Sequence, residues 1–136
     1  MSSQELIVPD WLVQHDDQRL TLNGQRCADC GTSAFPRTAS CPSCCSRELQ
    51  DLSLGPNAHL FSITVDRVGF PLGHPFLVGQ ARFEEGAVVQ GFVIGDVDNP
   101  PAIGSPLELV PFGVPHPGTK ELLTTYGFRP VEVNDA

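Results

Sequence analysis

LNGQRCADCGTSAFPRTASCPSCCS, running from Leu22 to Ser46, is the stretch on which the fold of this chain turns. It holds two Cys-x-x-Cys knuckles, Cys27/Cys30 and Cys41/Cys44, with ten residues between them. Two residues between thiolates let one tight turn present both sulfurs to a single ion, and Gly31 lets the backbone bend beside the first knuckle without a Cβ clash. Two such turns complete a tetrahedron. Four thiolates leave no open coordination position, which suits a structural ion, whereas catalytic zinc keeps a place for water or substrate. The intervening residues are small and polar and cannot close a hydrophobic core alone, so metal binding is expected to supply the folding energy of this segment. The expected cofactor is one structural Zn2+. Iron competes, because a mononuclear four-thiolate iron site uses similar knuckles and would make the chain a rubredoxin-like electron carrier. A redox-active dithiol is the poorer account, since two neighbouring pairs more often share a metal. Cys45 is left over.

Working outward, residues 1–20 read as an N-terminal arm or short helix, with Trp11, Leu12 and Val13 as its apolar cluster. The cysteine segment occupies residues 21–50. After Asp51 the texture changes to runs rich in Val, Ile and Phe, broken by Gly and Pro at short intervals, which is the pattern of an all-β domain over residues 51–136. His59 to Val68 alternates as a strand. Phe76–Phe83 and Ala87–Ile94 form a hairpin across Glu84-Glu85-Gly86, where Gly86 can take the positive φ that a tight turn needs and the glutamates read as a solvated turn. Asp96 to Pro106 is a proline-rich loop, Leu107–Phe112 a strand, Pro111 to Glu121 another loop, and Leu122–Val133 one or two closing strands. Four or five strands in this length suit a small barrel. The fold class is therefore mainly β: an arm or short helix, a four-cysteine ribbon, then a small barrel.

The chain has 136 residues, room for one ordinary domain or a metal-held module followed by a compact core. No stretch approaches the roughly 18 apolar residues that cross a bilayer, and the opening MSSQELIVPDW lacks the order of a signal peptide, so a cytoplasmic protein with no membrane partner is expected. Five cysteines without a secretion signal argue against a disulfide framework. The net charge of −8, with Lys120 as the sole lysine, repels polyanions. That weighs against a single-strand nucleic-acid binder, although ribbons and small barrels both serve that purpose elsewhere. His15, His59, His74 and His116 are scattered with no matched acid or nucleophile, and no nucleophile elbow or phosphate loop occurs. No catalytic residue is assigned.

The stretch Leu22 to Ser46 resembles the rubredoxin-like zinc ribbon of the DUF35 OB-fold family. The resemblance continues through Leu60-Phe61-Ser62-Ile63-Thr64-Val65, Phe83-Glu84-Glu85-Gly86, Ile103-Gly104-Ser105-Pro106-Leu107-Glu108-Leu109 and the closing Tyr126-Gly127-Phe128-Arg129-Pro130. Phe35-Pro36-Arg37-Thr38 carries one proline where many relatives carry two. The resemblance implies an OB-fold barrel behind the ribbon and zinc held by Cys27, Cys30, Cys41 and Cys44. It further implies a non-catalytic accessory subunit that joins a thiolase-like catalytic chain in a hetero-oligomer acting on acyl-CoA. An aldolase or hydratase partner is the alternative. On that reading Trp11, Leu12, Val13 and Phe35 are expected at the partner interface, and Arg37, Arg67, Arg82 and Lys120 are the cations available to coenzyme A phosphates at a shared interface.

Overall fold

The computed structural model describes residues 5–6, 12–15, 19–70, 72–115 and 122–131. Trp11, His116 and Lys120 lie outside the described residues. No helix occurs among the described ones; the strands are β1 (Glu5–Leu6), β2 (Leu12–Gln14), β3 (Leu20–Cys27), β4 (Ser33–Ala34), β5 (Leu49–Leu54), β6 (Asn57–Asp66), β7 (Phe76–Phe83), β8 (Val88–Val93), β9 (Pro106–Pro115) and β10 (Leu122–Pro130). The described part of the arm is thus extended. Among the described residues no helix is long and apolar enough to cross a membrane.

The first sheet is organised by β3. Its Leu22 pairs with Leu12 of β2 and with Leu54 of β5, while Gln25 and Arg26 pair with Ala34 and Ser33 of β4. Strand β3 thereby carries the apolar residues Leu20 and Leu22 into the core and delivers Cys27, at its end, to the metal cluster.

The second sheet closes. Strand β6 pairs antiparallel with β7, β7 with β8, β9 with both β6 and β10, and β8 pairs parallel with β10. Five strands in this order, with that one parallel pair, form the Greek-key barrel of an OB-fold. A bulge between Leu60 and Ser62 bends β6 so that it serves two neighbours. The period of two is kept: Leu77, Ala81 and Phe83 of β7 point inward, as do Val89 and Val93 of β8, while Val78, Gln80 and Arg82 face outward. Leu12, Leu20, Leu22 and Leu54 belong to the same buried cluster as Leu60, Leu107, Leu109 and Phe128. Ribbon sheet and barrel share one core.

The hairpin expected at residues 76–94 is present, with Gly86 at φ 104° in its turn. The loop expected from Pro111 begins later, because β9 runs on to Pro115. The reason is strand parity: Leu109 N–H points away from β10 to Pro56 O, and Pro111 and Pro115 share that parity. Their missing N–H groups therefore face an unpaired edge, where proline costs no ladder bond.

Candidate metal centre

The two knuckles repeat one backbone design. In the first, Gly31 N–H donates to Cys27 O and Cys27 N–H to Thr32 O; in the second, Cys45 N–H donates to Cys41 O and Cys41 N–H to Ser46 O. Both need a left-handed residue at the same place. Gly31 supplies it at φ 79°, and Cys45 supplies it at φ 66°, which a residue with a Cβ adopts at some cost. The fifth cysteine thus occupies the turn position that glycine fills in the first knuckle, with its side chain exposed and outside the four-sulfur group.

The four sulfurs converge. Cys27 Sγ lies 3.6 Å from Cys44 Sγ and Cys30 Sγ 3.5 Å from Cys41 Sγ, and all four ligand atoms fall within 4.8 Å of one another. A tetrahedral shell with Zn–S distances of about 2.3 Å has edges of about 3.8 Å, so the cage is the right size for one such ion. Cys27 and Cys41 are buried, Cys30 and Cys44 exposed. Hydrogen bonds from the backbone N–H of Cys30 and Asp29 lower the Cys27 pKa against the opposing effect of burial. The Thr32 hydroxyl and amide bring Cys30 down to about 6. Cys44 accepts from the Ser46 amide, which lowers it, yet the crowding sulfurs of Cys30 and Cys27 push it up to about 12. Thiolates are the metal-binding form, so an ion held here would compete with protons for these sulfurs.

The surroundings fix this cage to the barrel. Buried Gln25 donates through Nε2 to Thr38 Oγ1 (2.8 Å) and accepts from Thr38 N–H (2.8 Å), tying the ribbon tip back onto β3. Ser46 Oγ donates to Asp29 Oδ2, linking the knuckles. Glu85, expected in a solvated turn, is half-buried instead. Its carbonyl accepts from Arg26 Nη2 (3.2 Å) and Ser33 Oγ (3.0 Å), and its carboxylate accepts from Gly55 N–H (3.3 Å). The tip of the β7–β8 hairpin is thus latched to the ribbon. Sequence reasoning missed Gln25, Arg26 and Glu85 because ordinary polar residues carry no spacing signal. The comparison of Gly31 with Cys45 was available in the two aligned knuckles.

The other residues singled out in the sequence are dispersed. Leu12 lies in the core, Val13 is half-buried, and the Phe35 ring meets Tyr126 edge-on at 5.8 Å. Arg37 pairs with Asp51 at 2.6 Å, and the Arg82 guanidinium sits 4.6 Å above the Phe61 ring. Arg67 follows β6 at the opposite end of the β6–β7 pair, eight residues past His59, the register partner of Arg82, or roughly 25 Å along the strand. These cations do not converge. His15 shares a hydrogen bond with Thr21 Oγ1 and His74 with Pro75 O, and His59 is exposed.

Comparison with known proteins agrees with this geometry. The family described as ChsH2, rubredoxin-like zinc ribbon domain, matches residues 17–50. A DUF35 domain-containing scaffold protein of Methanocaldococcus jannaschii is 28% identical over 133 residues, covering 94% of this chain and 93% of its own. The benzoylsuccinyl-CoA thiolase subunit BbsA of Thauera aromatica is 36% identical over 62 residues, 45% of this chain and 43% of that one. Among solved structures, the Ltp2-ChsH2(DUF35) aldolase superposes with a TM-score of 0.60 at 26% identity, covering 81% of this chain and 84% of that chain. A DUF35-family structure from Sulfolobus solfataricus shares the fold with a TM-score of 0.52 at 16% identity, covering 82% and 76% of the two chains.

Proposed function

We propose that this chain, a DUF35 protein with a zinc ribbon, is the zinc-binding, non-catalytic accessory subunit of a thiolase-like enzyme that makes or breaks carbon–carbon bonds on acyl-CoA. The observation that carries the reading is the likeness to a DUF35 scaffold protein over 94% of the chain, joined by the partial likeness to a benzoylsuccinyl-CoA thiolase subunit. The closed four-cysteine cage fits the role, because a saturated shell holds structure and performs no Lewis-acid step. Cys27, Cys30, Cys41 and Cys44 would hold Zn2+, and the ion would stiffen a segment otherwise too polar to stay folded.

In this reading the chemistry belongs to the partner. The ribbon tip, the arm at Val13, and the exposed Val68 and Phe70 of the β6–β7 loop would offer it a docking surface. Among the expected phosphate contacts, Arg67 is exposed and has no ion-pair partner among the described residues, which leaves it available to coenzyme A at the shared interface. The likeness to an aldolase assembly favours a second version in which the partner is an acyl-CoA aldolase and the scaffold role is unchanged.

The test is turnover of an acyl-CoA substrate by a thiolase-like catalytic chain of the same genome alone, by this chain alone and by the two together. The reading expects turnover to require both. Full activity of the catalytic chain without this one, or turnover by this chain alone, would contradict it.

A further inference from the structure

The parallel β8–β10 pair holds for only two register positions, Gly127 with Phe92 and Phe128 with Val93. Beyond them the strands part, and Tyr126 bridges the gap with its hydroxyl donating to Gln90 O at 2.6 Å. The seam opens as a groove of about 350 Å3 lined by Phe76, Val78, Gln90, Gly91, Phe92, Thr125 and Tyr126. That volume lies in the range of small-molecule sites, roughly 300–1,000 Å3.

The walls are held in place. Phe92 stacks on Phe112 with centroids 4.6 Å apart and planes 8° apart, and Phe76 leans on it at 5.3 Å. Gly127 makes the stack possible, since a Cβ there would meet the Phe112 ring at 3.0 Å. In a chain of net charge −8, no lining residue is charged. The Gln90 amide and the Thr125 hydroxyl have no hydrogen-bond partner among the described residues.

We propose that this groove is a binding site for a small, uncharged aromatic molecule, its ring against Phe76 and Phe92 and a neutral polar substituent hydrogen-bonded by Gln90 and Thr125. Ring faces attract a flat ring, an amide and a hydroxyl satisfy a carbonyl or amide group, and the lack of a cation disfavours an anion of the same shape.

The experiment is an NMR titration of the zinc-loaded full chain with three probes: benzamide, benzoate and cyclohexanecarboxamide. Benzamide should shift the Gly91, Phe92 and Tyr126 amides saturably, and each of the other two should bind at least about fivefold more weakly. Phe92→Ala should weaken benzamide about tenfold. Because Phe92 also supports Phe112, Gln90→Leu at an exposed position is the second variant, expected to keep the thermal midpoint and lose about threefold in affinity. No saturable shift, equal binding of benzoate or of cyclohexanecarboxamide, or unchanged affinity in Gln90→Leu would overturn the assignment.

Discussion

Cys45 shows how a single residue is set by its backbone. Its φ of 66° answers the same demand that Gly31 meets at 79°, and a side chain in that region is strained by about 1 kcal/mol. Cys45→Gly should therefore raise the stability of the zinc-loaded chain by about 1 kcal/mol, read from the denaturation midpoint, with the metal content unchanged. The place was legible in the motif, since Cys-x-x-Cys-Gly and Cys-x-x-Cys-Cys align residue for residue. Its conformation was not, because spacing counts residues and says nothing of φ. Tyr126, the only tyrosine, gives a second readout. Burial disfavours its phenolate and pushes its pKa up to about 12, against about 10 in an unfolded chain. Because the folded value is the higher one, the stability this group contributes is complete below about pH 10 and is lost as pH rises toward 12. Absorbance of the phenolate should titrate near 12 in the folded protein and near 10 in denaturant.

Elements were legible to differing degrees. The hairpin from Phe76 to Val93 announced itself through alternation and Gly86, whereas β9 was read too short because its prolines look like breakers until the pairing partner is known. Strand order is written in no local pattern; the closure of β9 on β10 emerges only when both are placed. The ribbon divides likewise. Its β3 end is anchored by Leu20 and Leu22 in the shared core, while residues 28–48 are held by the sulfurs, the short β3–β4 pairing, a few polar bonds and the single apolar contact of Phe35 with the core. Cys44→Ser should abolish stoichiometric zinc and remove hydrogen-exchange protection across residues 28–48, yet leave the β3 amides of Leu22 and Asn23 and the barrel strands protected. Loss of protection in β7 and β8 as well would show that the Glu85 latch transmits the metal's effect into the barrel.

At the level of the whole molecule, one core joins two sheets, and Leu54 sits at the junction, fully buried and paired with Leu22. Leu54→Ala should cost about 2–5 kcal/mol and lower ribbon and barrel together in one thermal transition. A separate early ribbon transition would contradict a shared core. The cage at the end of β3 is built from four thiolates that all lie within 4.8 Å of one another. The proposed docking of this chain on a thiolase-like partner is the central claim. Light scattering after coexpression with a thiolase-like protein of the same genome measures this most directly. The account predicts that the zinc-loaded chain elutes in a hetero-oligomer of defined mass and that Cys44→Ser leaves that complex. A chain that stays monomeric beside that protein would contradict it.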